Sequence, residues 1–211
     1  PSVGHLSYDI NNIDPNVASQ GISAYFVLPA IDSKKNMQIK VNTHNNTRNI
    51  EDINTYTTIA HEGIPGHMYM YSYIYENCNH LYYKLNSHLA FTEGYATYVE
   101  FYSMKYLKDL NKDALDLLYY NNLYSSCIIA LSDIGIHYEG WDFKEFCRYL
   151  ESCGMTTDKD ILERQYKQLQ SNPASFIPYY VGVVEILNLK DEAQDKLKEN
   201  FNDKEFHEVL I

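Results

Sequence analysis

A chain of 211 residues, 45% apolar and 21% charged, is long enough for one well-buried domain and is neither disordered nor fibrous in composition. A formal net charge of −11, with Lys and Arg scattered and not striped along one face, argues against a nucleic-acid partner, because such binding draws most of its affinity from neutralising phosphates. No run approaches the roughly 18 consecutive apolar residues that a membrane-spanning helix needs.

Residues 1–23 are rich in Asn, Ser, Gly and Asp and read as an irregular lead-in. Two short runs rich in β-branched and aromatic residues follow, AYFVLP at 24–29 and MQIKVN at 37–42. Joined by the polar loop AIDSKKN, they predict a β hairpin. From residue 52 onward the periodicity is helical, with segments expected at about 53–64, 66–78, 86–109, 112–136, 142–152, 158–170, 179–198 and 203–211. Asn111 ahead of KDAL, and Asn202 with Glu205 three residues on, are start signals; Gly154 and the Asn172-Pro173 pair are stop signals. With no repeat, low-complexity tract or long linker, residues 1–211 are expected to form a single, mainly α domain with a small β hairpin.

The chain begins at Pro1 instead of Met, lacks a signal-peptide pattern, and stops at Ile211 inside a helical run. It is therefore expected to be a piece of a longer protein, and a cytoplasmic, secreted or lipoprotein-anchored parent all stay open. The four cysteines have no C-x-x-C spacing and are expected as reduced, mostly buried thiols. The 21 tyrosines are expected chiefly in amphipathic core and cleft lining.

The chemistry concentrates in TIAHEGIPGHMYM, residues 58–70. A zinc hydrolase needs about three protein ligands, an open position for water, and a carboxylate to take that water's proton. In the usual H-E-x-x-H helix, histidines four apart lie about 40° apart around the axis. His61 and His67 are six apart, a rotation of about 240° on an unbroken helix, so a straight helix cannot chelate with both. Pro65 and Gly66 stand between them. Proline has no amide hydrogen and its ring collides with the carbonyl four residues back, here that of His61, so the helix must break at Ile64 or Pro65. Pro65 is then expected to start a second helix that swings His67 back toward His61, with Gly66 free to take an unusual backbone angle. Spacing alone leaves a metal pair and two unrelated, partly buried histidines both open.

The next helix adds to this. FTEGYATYVEF places Glu93, Thr97 and Glu100 at i, i+4 and i+7, on one face of an otherwise apolar and aromatic helix. Carboxylates there are costly to bury unless a cation or hydrogen bonds satisfy them. Glu93 is the expected third ligand beside His61 and His67, and Glu100 is expected to orient a histidine. Glu62 is the candidate general base.

HEGIPGH (61–67) and EGYATYVE (93–100) resemble the H-E-G-x-P-G-H and E-G-W-A-x-Y-x-E signatures of the bacterial family catalogued as domain of unknown function 885. DIGIHYEGW (133–141), Pro173 with YYVG (179–182), and EFHEVL (205–210) continue the likeness to the C-terminus. The resemblance implies a helical, zincin-like metallopeptidase, of which this chain would be the C-terminal, metal-bearing half. Zn²⁺ would be the cofactor, a peptide the substrate, and the missing N-terminal half of the same protein a partner. The chain departs from the family pattern at Met68, where a further histidine is usual, at Tyr95 in place of Trp, and at Gln168 and Leu169, where an Arg-Tyr pair is usual.

Through the same resemblance Tyr179, with Tyr180 beside it, is a candidate to donate a hydrogen bond to the oxyanion formed during attack on a carbonyl. His137 has either a cleft role or a structural one. MQIKVN either offers a strand edge to an extended substrate or only covers the core. His44, Arg48, His80, His88 and His207 are expected at the surface or in packing. The leading expectation is a zinc-dependent peptidase. The alternatives are a catalytically silent, metal-stabilised domain that binds a peptide or partner, and a helical packing domain without metal.

Overall fold

The computed structural model describes residues 2–18, 22–31, 37–43, 53–85, 88–108, 110–155 and 158–211. His44, Arg48 and most of the AIDSKKN loop lie outside them. The protein is mainly α with one small sheet. Strand β1 (Tyr8–Asn12) and the single turn α1 (Pro15–Ala18) precede β2 (Ala24–Val27) and β3 (Met37–Val41). Helices follow: α2 (Ile53–Glu62), α3 (His67–Asn77), α4 (Leu81–Leu85), α5 (Leu89–Ser103), α6 (Lys112–His137), α7 (Phe143–Ser152), α8 (Lys159–Ser171), α9 (Ile177–Leu197) and α10 (Asp203–Leu210).

The expected hairpin forms, with β2 antiparallel to β3 and Phe26 opposite Ile39. The lead-in is not irregular throughout. Tyr8–Asn12 pairs parallel with β3, from Tyr8 opposite Met37 to Asn12 opposite Val41, and the sheet order is β1-β3-β2. All five β1 residues are exposed, so no alternation marks them as a strand; backbone bonding to β3 holds them. Because β3 is central and paired on both sides, MQIKVN presents no free edge. The edge facing the helices belongs to β2.

The helix boundaries follow local chemistry. The Asn111 side chain accepts from the Ala114 amide, Asp142 and Glu145 form a reciprocal capping box, and Asn202 accepts from Lys204 and Glu205. Gly154 ends α7 at a φ of +70°, a backbone setting that favours glycine. The long helix expected at 86–109 is instead α5 followed by a 3₁₀ turn at Met104–Tyr106, with the separate short α4 before it. The four cysteines are free, but each is half-buried, not buried.

Two helices set the architecture. α5 and α9 cross so closely that a Cβ added at Gly94 would lie 2.6 Å from the Cα of Gly182, and one at Gly182 would lie 2.3 Å from the Ala90 carbonyl oxygen. Around this crossing Met70 and Tyr75 of α3, Tyr95, Tyr98, Val99 and Phe101 of α5, and Val183 and Ile186 of α9 form the main core. A second cluster, including Ile128, Phe146, Leu162 and Leu169, joins α6, α7 and α8. A third packs Met37 and Ile39 of β3 on Met68 of α3. His207 of α10 accepts or donates at Tyr98 Oη over 2.9 Å, which fastens the last helix to α5.

Gly94→Val is expected to force α5 and α9 apart and to lower unfolding free energy by about 2 kcal/mol, read as a shifted midpoint in chemical denaturation with an unchanged slope.

Candidate metal centre

The segment between the two histidines folds as a break, two residues earlier than proline chemistry alone predicts. α2 ends at Glu62, Gly63–Gly66 are bends, and α3 begins at His67 with Gly66 as its N-cap. Pro65, joined to Ile64 by a cis peptide bond, lies before α3 and does not start it. Gly66 donates its amide to the Ala60 carbonyl at 2.9 Å, which folds the two extra residues into a compact turn. There a Cβ on Gly66 would sit 1.8 Å from the His61 carbonyl oxygen, so glycine is required by close approach and not by a positive φ, its φ being −78°.

The turn brings the imidazoles together. Their ring centroids are 4.9 Å apart at 85°, and both rings are buried. Glu93, projecting from α5 beside the Gly94 crossing, meets both: its Oε2 lies 3.5 Å from His61 Nε2 and 3.2 Å from His67 Nε2. Zn²⁺ with tetrahedral bonds of about 2.0–2.1 Å has ligand-to-ligand edges of about 3.3–3.4 Å, so these spacings fit the ion. Among the described residues, His61, His67 and Glu93 are the group whose ligand atoms converge, all within 4.8 Å of one another.

Surrounding groups orient this trio. Glu100 Oε2 lies 3.1 Å from His61 Nδ1, which leaves Nε2 to point at Glu93, and this is the orienting role its place on the helix predicts. Among the described residues His67 has no such support: its Nδ1 is buried without a hydrogen-bond partner. Burial would push the His61 pKa down, but hydrogen bonds with Glu100 and Glu93 outweigh it and hold it up at about 9. Glu93 is the converse. Burial would raise it, and the two imidazoles instead hold it down at about 2. Three carboxylates, Glu62, Glu93 and Glu100, thus crowd two imidazoles in a largely buried space, and the positive charge that His61 now carries as a proton is one a divalent cation can carry in its place.

Glu62 follows His61 at the end of α2. Its Oε2 accepts the Phe26 amide of edge strand β2 at 2.8 Å, and burial raises its pKa. Tyr179, in the first turn of α9, stacks on His61 with centroids 6.0 Å apart at 13°. Burial and the neighbouring Glu93 carboxylate push its phenol pKa up, so it stays a hydrogen-bond donor. Glu62, Tyr179 and Tyr180 line one cavity of about 480 Å³ with His61 and Glu100.

His137 is not with them. Its Nε2 donates to the Leu169 carbonyl at 3.0 Å and lies 3.8 Å from Asp133 Oδ1, in the seam between α6 and α8. The DIGIHYEGW motif is accounted for by packing. Buried Asp133 accepts the Ala174 amide at 3.1 Å, a Cβ on Gly135 would strike the Trp141 ring at 2.2 Å, and Gly140 turns the chain at a φ of +77°. Two contributors carried no obvious signal in the sequence. The Phe26 amide that fixes Glu62 is a backbone group. The wall of the cavity from α6, Asn122, Ser125, Ser126 and Ile129, is legible only as a mostly polar i, i+3, i+4, i+7 stripe.

Gly66→Ala is expected to displace His61 and weaken Zn²⁺ or Co²⁺ binding about 10–100-fold, measured by equilibrium dialysis and elemental analysis.

No curated protein matches the chain. Among solved structures, one titled a "putative lipoprotein" from Colwellia psychrerythraea superposes with a TM-score of 0.78 at 20% identity. The match covers 99% of this chain and 36% of that one. A "putative lipoprotein of unknown function" from Shewanella oneidensis gives 0.70 at 20% identity, over 87% of this chain and 35% of that one. The likeness is one of fold, and the chain spans about a third of the length of either structure. The family model described as "Bacterial protein of unknown function (DUF885)" matches residues 4–211, and the chain belongs to that family.

Proposed function

We propose that this chain is the metal-bearing part of a zinc-dependent hydrolase that cleaves peptide bonds. The observation that carries the reading is the convergence of His61 Nε2, His67 Nε2 and Glu93 Oε2 beside a half-buried carboxylate, Glu62, that takes no part in the trio. Zinc held by His61, His67 and Glu93 would supply a Lewis acid and bring the pKa of an attacking water toward neutrality.

The chain's own residues do the rest. The Phe26 amide holds Glu62 Oε2, which leaves Oε1 to take the water's proton. The raised pKa of Glu62 lets it keep that proton until the departing amine needs it. Tyr179 Oη, kept protonated by burial and by Glu93, donates to the oxygen that becomes negative as the carbonyl is attacked. Glu100 fixes the His61 tautomer through Nδ1. Glu62 also separates this reading from a silent, metal-stabilised binding domain, since a structural site has no use for a base and would close its fourth position. The cleft opens beside β2, whose outer edge replaces MQIKVN as the strand on which an extended peptide can align.

The remainder of a longer parent would supply further cleft wall. A lipid-anchored parent agrees with the names of the two solved structures. Among the described residues, no helix is long and apolar enough to cross a membrane.

Glu62→Gln is expected to retain zinc by elemental analysis while peptide hydrolysis falls by about 10²–10⁴. Glu93→Ala is expected to lose the metal itself. Hydrolysis that survives removal of zinc by chelation overturns the assignment. Tyr179→Phe should lower kcat about 10²–10³-fold with little change in KM, because the hydroxyl acts on charge that develops only in the transition state.

A further inference from the structure

The cavity beside the trio has a chemistry of its own. It measures about 480 Å³, and its far wall is the α6 stripe of Asn122, Ser125, Ser126 and Ile129. Across from that wall stand Thr97 and Glu100 of α5. No Lys or Arg is among its described lining residues, whereas Glu62 and Glu100 both are. A volume of this size exceeds what one water-activating site needs and suits a substrate side chain.

Two groups in it call for a ligand. Thr97 is 3% exposed and its Oγ1 has no hydrogen-bond partner among the described residues, an arrangement that costs free energy unless a ligand satisfies it. Glu100 commits Oε2 to His61, and its second oxygen has no bond among the described residues. Its side chain remains 23% exposed. Ser126, by contrast, is already satisfied, since its hydroxyl donates to the Asn122 carbonyl at 2.8 Å.

Resting on the peptidase reading above, we infer that this cavity is a side-chain pocket for a basic residue of the substrate, with Glu100 and Thr97 receiving its ammonium group. An ammonium carries three donors and no acceptor, and the pocket offers acceptors in matching chemistry: the free Glu100 oxygen, the Thr97 hydroxyl and the Asn122 side-chain carbonyl. The charge-assisted bond to Glu100 is the strong one. Ile129 and Phe101 provide apolar surface for the methylene stem. An acidic side chain entering beside Glu100 meets a second carboxylate in Glu62 and, among the described lining residues, no Lys or Arg, so repulsion works against it. Ser125, on the α6 wall and outside the trio, is the position at which a positive charge can be introduced without replacing one of the three converging residues.

The test measures binding, not turnover. The purified chain is titrated with N-acetyl-lysinamide, N-acetyl-norleucinamide and N-acetyl-glutamic acid amide, and affinities are read from chemical-shift changes. The lysine probe is expected to bind at least about tenfold tighter than norleucine, which keeps the carbon stem and lacks the ammonium group, and the glutamate probe is expected to bind more weakly than the lysine probe. Ser125→Lys should abolish the preference for lysine and admit the glutamate probe. Asn122→Lys makes the same test should the first variant fail to fold. Thr97→Val should reduce lysine binding and leave norleucine binding unchanged. Equal affinities for lysine and norleucine, or a lysine preference that survives both lysine substitutions, overturns the pocket. A binding preference in a chain that hydrolyses no peptide would sink the enzymatic reading and leave the pocket standing; hydrolysis without a binding preference does the reverse.

Discussion

The α5–α9 crossing at Gly94 and Gly182 is the constraint on which the candidate site depends. Helices normally sit 8–10 Å apart, with side chains between them. Here glycine faces glycine, with no room for a Cβ on either, so the backbones approach as closely as helices can. The residue before Gly94 is Glu93, and three residues before Gly182 is Tyr179. Closing the crossing therefore delivers a carboxylate from one helix and a phenol from the other to the same point, where His61 lies against both. The large buried tyrosines, Tyr95 and Tyr98, pack on the same helix. They fill the space on its other flank, so the approach is held by apolar burial and not by the polar groups at its tip.

Local signals in the sequence carried most of the helical architecture, and their failures share a cause. Caps at Asn111 and Asn202 and the stop at Gly154 were legible because each is a short-range interaction between neighbouring residues. β1 was not, because Tyr8–Asn12 owes its conformation to a partner strand about 30 residues away and buries nothing. The place of β3 at the centre of the sheet, which overturns its use as an edge, follows from that same long-range pairing. His137 shows the complementary limit. Its motif was visible, but the geometry that explains the motif, a tryptophan ring against Gly135 and an aspartate capping a distant turn, is tertiary. The trio of His61, His67 and Glu93 was legible in part because its members are chemically unusual for the helices they occupy: a carboxylate on an apolar face advertises itself, whereas the α6 polar stripe and the Phe26 amide do not.

The electrostatics of the site are unbalanced by design of the fold. Glu62, Glu93 and Glu100 come from two helices whose ends and faces are fixed by apolar packing, so their mutual repulsion cannot be relieved by moving them apart. The structure answers it in three different ways. Glu93 is neutralised by two imidazoles, Glu100 by one, and Glu62 by a single backbone amide together with burial that favours its protonated form. This division of labour matters for chemistry. The two carboxylates that are well satisfied are suited to holding and orienting, and the one that is poorly satisfied is suited to exchanging a proton.

The six-residue spacing of the histidines can now be understood as a consequence of where Glu62 must stand. In an unbroken H-E-x-x-H helix the histidines and glutamate share one rigid cylinder, and the glutamate's position is set by the helix that bears the ligands. In this chain α2 ends at Glu62 and α3 begins at His67, so the two histidines belong to different helices with different supports. His61 is braced by Glu100 of α5, and α3 is braced by the sheet through Met68 on Met37 and Ile39. Because α2 stops there, Glu62 is the last residue of its helix and is free to reach the amide of Phe26 on the sheet edge. The turn that looks like an insertion in a metal motif thereby couples Glu62 to the edge strand β2. It does so at the cost of a glycine at position 66 that no other residue can replace without moving the His61 carbonyl.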